Sequence, residues 1–452
     1  MDAAKRKARS EDKADLVEAR KDTVGQDRKQ RSWIHSIGPG LITGAADDDP
    51  SGVGTYSADG AQFGYSLLWL VLASIPLMIV VQEMCGRAAA VTGSGLAQIL
   101  KRSYPKWLLH SCLVSLMIAN IFNIYADLNV MAASANLMFR LPMWVGLAGF
   151  TIVLCLSQIF IPYRQYARLL KWLCVALLGY VAVAFMPGCK VDWSQVAGGL
   201  FHPHLEFNGS TTLAIVAFLG TTISPYLFFW QAGETVEEVI AEGDARAPGQ
   251  RTTPTSDQEI RMIRADTSIG MAASQIVAFF IMISAIGTLH ASGQTQINTA
   301  QDAAKALSPL GPWAVWIFSV CIISTGLLAI PTLGGSVAYC LAETVGWRYG
   351  FYRRFSRAKR FYLTVAGTMV LSCALNFVGI LPPVKALVYS AAVNGVLAPP
   401  LIIVLLLICN NKAIMGNRTN SLLSNSLGWF TVVAMGSAAL YFLIALATGA
   451  TQ

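Results

Sequence analysis

The sequence predicts an all-α, polytopic membrane protein of about eleven transmembrane helices, and three observations carry that expectation. Of 452 residues, 54% are hydrophobic and only 13% are charged, where soluble domains carry roughly 25% charged residues. Mean hydropathy is +0.53. About eleven segments also reach the roughly 20 mainly apolar residues that a membrane helix needs. They lie near 37–59, 64–88, 109–137, 143–161, 167–187, 212–240, 264–288, 312–337, 361–380, 384–409 and 426–448.

Residues 1–32 come first and are polar, with ten Lys and Arg among them. They contain no apolar core of a signal peptide, so they read as a disordered cytoplasmic arm within reach of anionic lipid. The first span cannot be one continuous helix, because "DDDPSG" (47–52) interrupts it. Pro50 removes a backbone donor, and each of Asp47, Asp48 and Asp49 would cost about 2.5–3.5 kcal/mol at the bilayer centre. Spans 2 to 5 complete a five-helix unit over 33–187, and 188–211 reads as an extracellular loop.

The sixth span is interrupted in the same way at "LGTTISPYLFFWQAGETVEEV" (219–239). It is apolar to Gly220, polar through Thr221, Thr222, Ser224 and Pro225, and then amphipathic to Glu234, Glu237 and Glu238. A proline kink is the plain alternative at each break. Spans 1 and 6, however, hold corresponding places if 33–187 and 212–410 are two five-helix repeats. Five is odd, so the second repeat is inverted, and paired interrupted helices point to a transporter binding site at the midplane. Residues 411–452 add a cytoplasmic loop and an eleventh helix.

Charge orients the chain. With the N-terminus inside, 29 of the 33 Lys and Arg fall on cytoplasmic segments, leaving Arg140, Lys190, Lys305 and Lys385 outside. The positive-inside rule then predicts a cytoplasmic N-terminus and an extracytoplasmic C-terminus, in a plasma (inner) membrane. The net charge of +8 follows from this orientation and is no nucleic-acid footprint. Nine cysteines stand singly without a CxxC pair, against a disulfide framework or zinc cluster, and no cofactor is expected.

The sign of the central site follows from direction. Span 1 enters from the cytoplasm and span 6 from outside, so both first halves present carbonyl-bearing, partly negative ends at the break. With Asp49, and Asp47 and Asp48 beside it, the cavity suits a cation. The five His (35, 110, 202, 204, 290) lie away from both breaks.

These residues carry a resemblance. "GPGLITGAADDDPSG" with "GAQFGYSLLW" resembles the first-span signature of the Nramp (natural resistance-associated macrophage protein) family, whose usual core is Asp-Pro-Gly-Asn. "LGTTISPYLFFW" stands where that family has Met-Pro-His, and "TLGGSVAYCLAE" and "AVNGVLAPPLIIVLLLICNNKAIMG" resemble its eighth and tenth spans. The resemblance runs from about residue 33 to the C-terminus. It implies a LeuT-like fold and transport of divalent metal by alternating access, the metal being cargo.

Departures refine what it implies. The coordinating Asp is retained as Asp49, but the Asn falls on Gly52, the Met on Ser224, the His on Tyr226, and the backbone carbonyl ligand on Thr221. Loss of a thioether shifts preference toward harder ions, and Gly52 and Ser224 suggest a wider, oxygen-rich pocket. Magnesium dehydrates reluctantly, so the pattern resembles the magnesium-transporting branch, with manganese as second substrate. Proton coupling in the family runs through the sixth-span His and acidic third-span positions. Here these are Tyr226, Ile124 and Asp127, which points to uncoupled transport. A divalent ion gains about 4.6 kcal/mol per 100 mV, some three decades of accumulation.

The expected metal site is Asp49, Gly52, Thr221, Ser224 and Asp48, with Asp47, Thr222, Tyr226, Gln231, Asp127 and Asn394 along the pathway or behind the ligands. Hydroxyls in membrane helices often satisfy freed carbonyls instead, and Asn376, Asn394 and Gln231 are equally suited to interhelical hydrogen bonds. Asp59 and Gln62 are placed to line the outer entrance, Glu83 and Arg87 to form a helical ion pair, and Glu234 and Glu238 to line an exit. His202-Pro203-His204 reads as an ordinary loop. "GSGLAQ" at 93 lacks the Lys and Ser/Thr of a nucleotide loop.

Rival readings are a proton-coupled manganese or iron importer, which the absent Met and His oppose, and a cationic amine or amino-acid permease of the same architecture. The permease needs a free helix start for a carboxylate, which the Asp cluster opposes. An enzyme would need a nucleophile and base together, and no such pair stands out.

Overall fold

Residues 39–161, 174–203, 208–245, 247–378 and 382–448 of the computed structural model are described here. The N-terminal arm, His204 and the first part of the fifth span lie outside them. Among the described residues, secondary structure is helical apart from one isolated bridge between Ala245 and Arg251.

The first span is two helices, α1 (Pro39–Asp47) and α2 (Pro50–Phe63). Pro50 stands at the first position of α2, where its missing N–H is no loss. Asp49 precedes it in extended conformation (φ −73°, ψ 169°) and caps the helix, as short acidic residues do. The chain continues through α3 (Trp69–Thr92), α4 (Leu96–Ser103), α5 (Lys106–Phe139) and α6 (Met143–Phe160). Gly93, at φ +61°, turns the chain out of α3, a conformation that favours glycine. After α7 (Leu178–Ala184) and α8 (Trp193–Phe201), the sixth span is again two helices, α9 (Gly209–Thr222) and α10 (Pro225–Glu242). Ser224 is extended, and Pro225 opens α10 as Pro50 opens α2. Then come α11 (Asp257–Thr288), α12 (Ala300–Ala304), α13 (Ala314–Val345), α14 (Lys359–Asn376), α15 (Pro383–Asn410), α16 (Lys412–Met415) and α17 (Leu422–Thr448).

Eight helical stretches among the described residues are long and apolar enough to cross a membrane, counting α9 and α10 as one. Two further expected spans are visible: the first as the halves α1 and α2, and the ninth as α14. Most of the fifth falls outside the described residues. In its most apolar stretch the sixth span is 89% buried, against 28% for the last helix. The broken span is therefore core, while α17 exposes Leu440, Leu443 and Ile444 at the periphery.

Small residues bring the broken spans against their neighbours. A Cβ on Gly44 of α1 would lie 2.3 Å from the Gly270 carbonyl oxygen of α11, and one on Gly220 of α9 would lie 2.0 Å from that of Ala391 on α15. Backbones approach this closely in membrane bundles only where side chains are minimal.

The two ends of the bundle differ in charge. At one, Arg87 bonds Glu83 (3.1 Å), the Arg418 carbonyl and Asn420, while Arg264 reaches Glu83 (3.2 Å). There Arg251 pairs with Glu259 and Arg418 with Asp257. The expected Glu83–Arg87 pair thus exists and draws in two further segments. At the other end His290 contacts the Ala61 carbonyl (2.9 Å), and the Tyr65 hydroxyl accepts from the Asp192 backbone N–H (2.9 Å). α1 and α10 lie on the basic side of the breaks, α2 and α9 on the opposite side.

Candidate functional site

The two interruptions meet in the interior. α1 and α9 end there with carbonyls, and α2 and α10 begin there with N–H groups, that have no partner within their own helix. The halves are tied across the gap on both sides. The Tyr226 hydroxyl donates to the Ala46 carbonyl (2.9 Å) and Thr43 to Gln231 Oε1 (2.5 Å) on the basic side. On the other, Tyr56 and Thr222 hydroxyls are 3.2 Å apart, and the Tyr56 ring packs on Phe218 at 5.2 Å.

Asp49 sits at the join. Its Oδ1 accepts from the Gly52 N–H (2.7 Å) and the Ser51 hydroxyl (2.6 Å), and its Oδ2 accepts from Asn123 of α5 (3.0 Å). Asn123 in turn accepts from Ser390 of α15 (2.9 Å), so three helices fix one carboxylate. The Ser51 hydroxyl is 3.3 Å from that of Thr221, which brings the far break to within one side chain of Asp49.

The other expected residues divide. Asp47 and Asp48 both accept from Ser274 of α11 (2.8 and 3.0 Å), on a different side from the Asn123 contact. The Ser224 hydroxyl donates to the carbonyls of Gly220 and Thr221 (2.8 Å each), and Thr222 to that of Phe218 (2.7 Å). These hydroxyls quiet the C-terminal carbonyls of α9, the local role open to them. Gln231 is engaged with Thr43, away from Asp49. Asn394 is fully buried, and neither of its amide atoms has a partner among the described residues. Asn376 donates to the Tyr125 and Ser372 carbonyls, an interhelical role. On α10, Glu237 accepts from the Phe351 and Tyr352 N–H groups (2.6 and 3.0 Å), and Glu234 accepts from Tyr339 (3.4 Å). This edge therefore holds the segment after α13.

The expected width at Gly52 is not present in this conformation. A Cβ there would lie 3.3 Å from Tyr56 Cε2, 3.4 Å from Thr221 Oγ1 and 3.5 Å from the Asp47 carbonyl oxygen. Tyr56, one turn along α2, folds over the space that a missing side chain leaves. Its place was legible, but its rotamer was not.

Electrostatically the site is lopsided. Asp47, Asp48, Asp49 and Asp127 are each at most 5% exposed. Asp127 lies close enough to Asp49 for their charges to interact, and it faces the Ser51 backbone N–H at the start of α2. No Lys, Arg or His among the described residues belongs to the groups acting on these four. Buried carboxylates without a counter-charge are costly, so the site calls for protons or a bound cation. Among the described residues no three His, Cys, Asp or Glu converge in metal-ligand geometry. The donors at hand include carboxylate, hydroxyl and carbonyl oxygens, which are hard donors.

Sequence reasoning missed Ser51, Asn123, Ser274 and Ser390. Asn123 carried a signal, because Asn120, Asn123 and Asp127 fall at helical spacing on one face of an otherwise apolar α5. Ser274 and Ser390 carried none, since single serines are common in membrane helices.

Four likenesses to known proteins accompany this geometry. The family model described as natural resistance-associated macrophage protein-like matches residues 40–445. The divalent metal cation transporter MntH of Chromohalobacter salexigens is 26% identical over 436 residues, covering 94% of this chain and 95% of that protein. The fold resembles the Eremococcus coleocola manganese transporter with a TM-score of 0.71 at 18% identity, covering 94% of this chain and 89% of that one. It also resembles Mhp1, a nucleobase-cation-symport-1 family transporter, at 0.55 and 16% identity over 92% of this chain and 91% of that one. The architecture is accordingly LeuT-like.

Proposed function

Because the chain belongs to the natural resistance-associated macrophage protein-like family, we propose that its cargo is a largely hydrated hard divalent cation, Mg2+ first and Mn2+ second, held at the join of the two broken helices. The protein is a membrane transporter of divalent metal cations, not an enzyme. The observation that carries the proposal is the set of four buried carboxyl groups that have no basic partner among the described residues and stand near hydroxyl and carbonyl oxygens. Among the described residues, the side chains that bond Asp49 are a hydroxyl and an amide, and neither a thioether nor an imidazole is among them to recruit a softer ion.

In this reading Asp49 is the anchoring ligand, and the Thr221 carbonyl and Ser51 hydroxyl hold waters of the ion. Asp48 and Asp47 supply negative potential from the α11 side. Ser224 and Thr222 shape the α9 end, and Asn394, one turn beyond Ser390 on α15, meets the ion's outer waters. Gly52 leaves room only once Tyr56 swings away, which ties binding to opening of the outer half. The basic end faces the cytoplasm, as the positive-inside rule requires. Transport then alternates between parting α1 and α10 on the inside and parting α2 and α9 on the outside.

The permease reading is disfavoured by one contact. The N-terminus of α2, which would receive a substrate carboxylate, is already filled by Asp49 through the Gly52 N–H.

Uncoupled, potential-driven movement is supported by Tyr226. A phenol, with an ordinary pKa near 10, donates to the Ala46 carbonyl and cannot relay protons at neutral pH as an imidazole does. A second reading, proton-coupled manganese or iron import, is favoured by Asp127, a buried carboxyl beside Asp49 that is able to hold a proton. Titration calorimetry of the purified protein with Mg2+ and Mn2+, with and without Asp49→Ala, tests the site. Binding of both ions that is lost in the variant supports it, and binding that survives the variant removes Asp49 from the centre.

A further inference from the structure

One carboxylate on α2 takes no part in this site. Asp59 lies seven residues beyond Gly52, which on a helix is the same face and about 10 Å further toward the outer end. Thr55 and Tyr56 occupy that face between them. Exposure rises along it, from none at Thr55 and Tyr56, through 4% at Asp59, to the exposed Gln62. The face therefore runs from the closed site to the surface.

Asp59 makes no hydrogen bond or ion pair among the described residues, and its Oδ2 is buried without a partner. The Thr55 hydroxyl, one turn inward, is fully buried and also unpartnered. A carboxylate left unsatisfied one turn from an unsatisfied hydroxyl on the same face offers oxygen donors to a ligand that carries positive charge. Asp59 is four residues from the C-terminal end of α2, where helix carbonyls add to the attraction for a cation. Inward of it the path is shut by the Tyr56–Thr222 hydroxyl contact at 3.2 Å and the Tyr56–Phe218 ring contact.

We propose that Asp59, with Thr55, forms a separate outer stop for a hydrated divalent cation, divided from Asp49 by the Tyr56–Thr222 pair. The proposal rests on the reading that such ions pass this way. An ion arriving from outside is held by the Asp59 carboxylate through its water shell until Tyr56 moves. It then advances down the same helix face to Asp49. Asp59 thus sets how often the site is loaded, not how fast the loaded protein turns.

The test is Mn2+ uptake by the full chain in proteoliposomes, over a concentration series, for Asp59→Asn, Asp59→Glu, Thr55→Val and Asp49→Asn. Asp59→Asn should raise KM about tenfold, the scale of losing a group behind first ligands, with maximal rate within about twofold. The rise should shrink as salt screens the charge. Asp59→Glu should restore KM, and Thr55→Val should raise it about fivefold, the scale of one neutral hydrogen bond. An unchanged KM in Asp59→Asn, or a loss of rate at unchanged KM, overturns the outer stop. If Asp59→Asn does not fold, an unchanged KM in Thr55→Val overturns it instead. Asp49→Asn separates the two ideas. If it transports normally, the central reading fails, whereas its inactivity beside an unaffected Asp59→Asn sinks the outer stop alone.

Discussion

Asn123→Ala removes the side chain that links Asp49 to α15. Asn123 donates to Asp49 Oδ2 at 3.0 Å and accepts from Ser390 at 2.9 Å, and all three are buried. A hydrogen bond to a charged group is worth about 1.5–3 kcal/mol. If the bond exists to orient the carboxylate toward the ion, the variant should weaken Mn2+ or Mg2+ binding by about 10- to 150-fold. Ser390→Ala leaves the Asn123–Asp49 bond in place and removes only its support, a neutral bond of about 1 kcal/mol, or roughly fivefold. Titration calorimetry on the purified proteins reads both, and uptake in proteoliposomes should show the change mainly in KM. Wild-type affinity in Asn123→Ala, or a Ser390→Ala effect as large, would mean that this chain of contacts only packs helices.

Further outcomes follow from other contacts. Tyr226→Phe leaves the Ala46 carbonyl without its donor, at about 1–3 kcal/mol. This should loosen α1 from α10 and raise hydrogen exchange at α1 while transport stays uncoupled. Ser224→Met puts a soft donor at the α9 end and frees the Gly220 and Thr221 carbonyls. Cd2+ binding should appear or strengthen about tenfold or more, with Mg2+ weakened, as calorimetry with each ion would read. Arg87→Ala removes the buried partner of Glu83 and the contacts to Arg418 and Asn420. Breaking a buried pair costs about 3–5 kcal/mol, and Arg264 offsets part of that at Glu83. The melting temperature in detergent should fall by several degrees.

Much of this was legible in the residues, and the physical reason is local. "DDDPSG" and "TTISP" cannot continue a helix in lipid, so the two breaks and their pairing follow from chain chemistry alone. That Asp49 stands at the join follows from its place before Pro50. What the sequence did not carry is the set of partners lent by other helices. Asn123 and Ser390 hold Asp49, and Ser274 draws Asp47 and Asp48 toward α11, through contacts separated by tens to hundreds of residues. The reading of Gly52 as open space missed Tyr56, whose ring direction depends on Phe218 and Thr222 of another span. Glu237 holds a loop where its neighbours were read as a vestibule edge, because only packing decides whether a carboxylate meets water or a backbone N–H.

The central claim is that the buried carboxylates around Asp49 hold a hard, hydrated divalent ion that moves without a proton. The most direct test is uptake into proteoliposomes under an inside-negative potential, with Mg2+, Mn2+ and Ca2+ compared and internal pH recorded in the same vesicles. The account predicts Mg2+ and Mn2+ uptake that rises with potential and leaves internal pH unchanged, and that Asp49→Ala abolishes. Uptake of Mn2+ alone, with acidification that follows it, would contradict the account and restore Asp127 as a proton carrier.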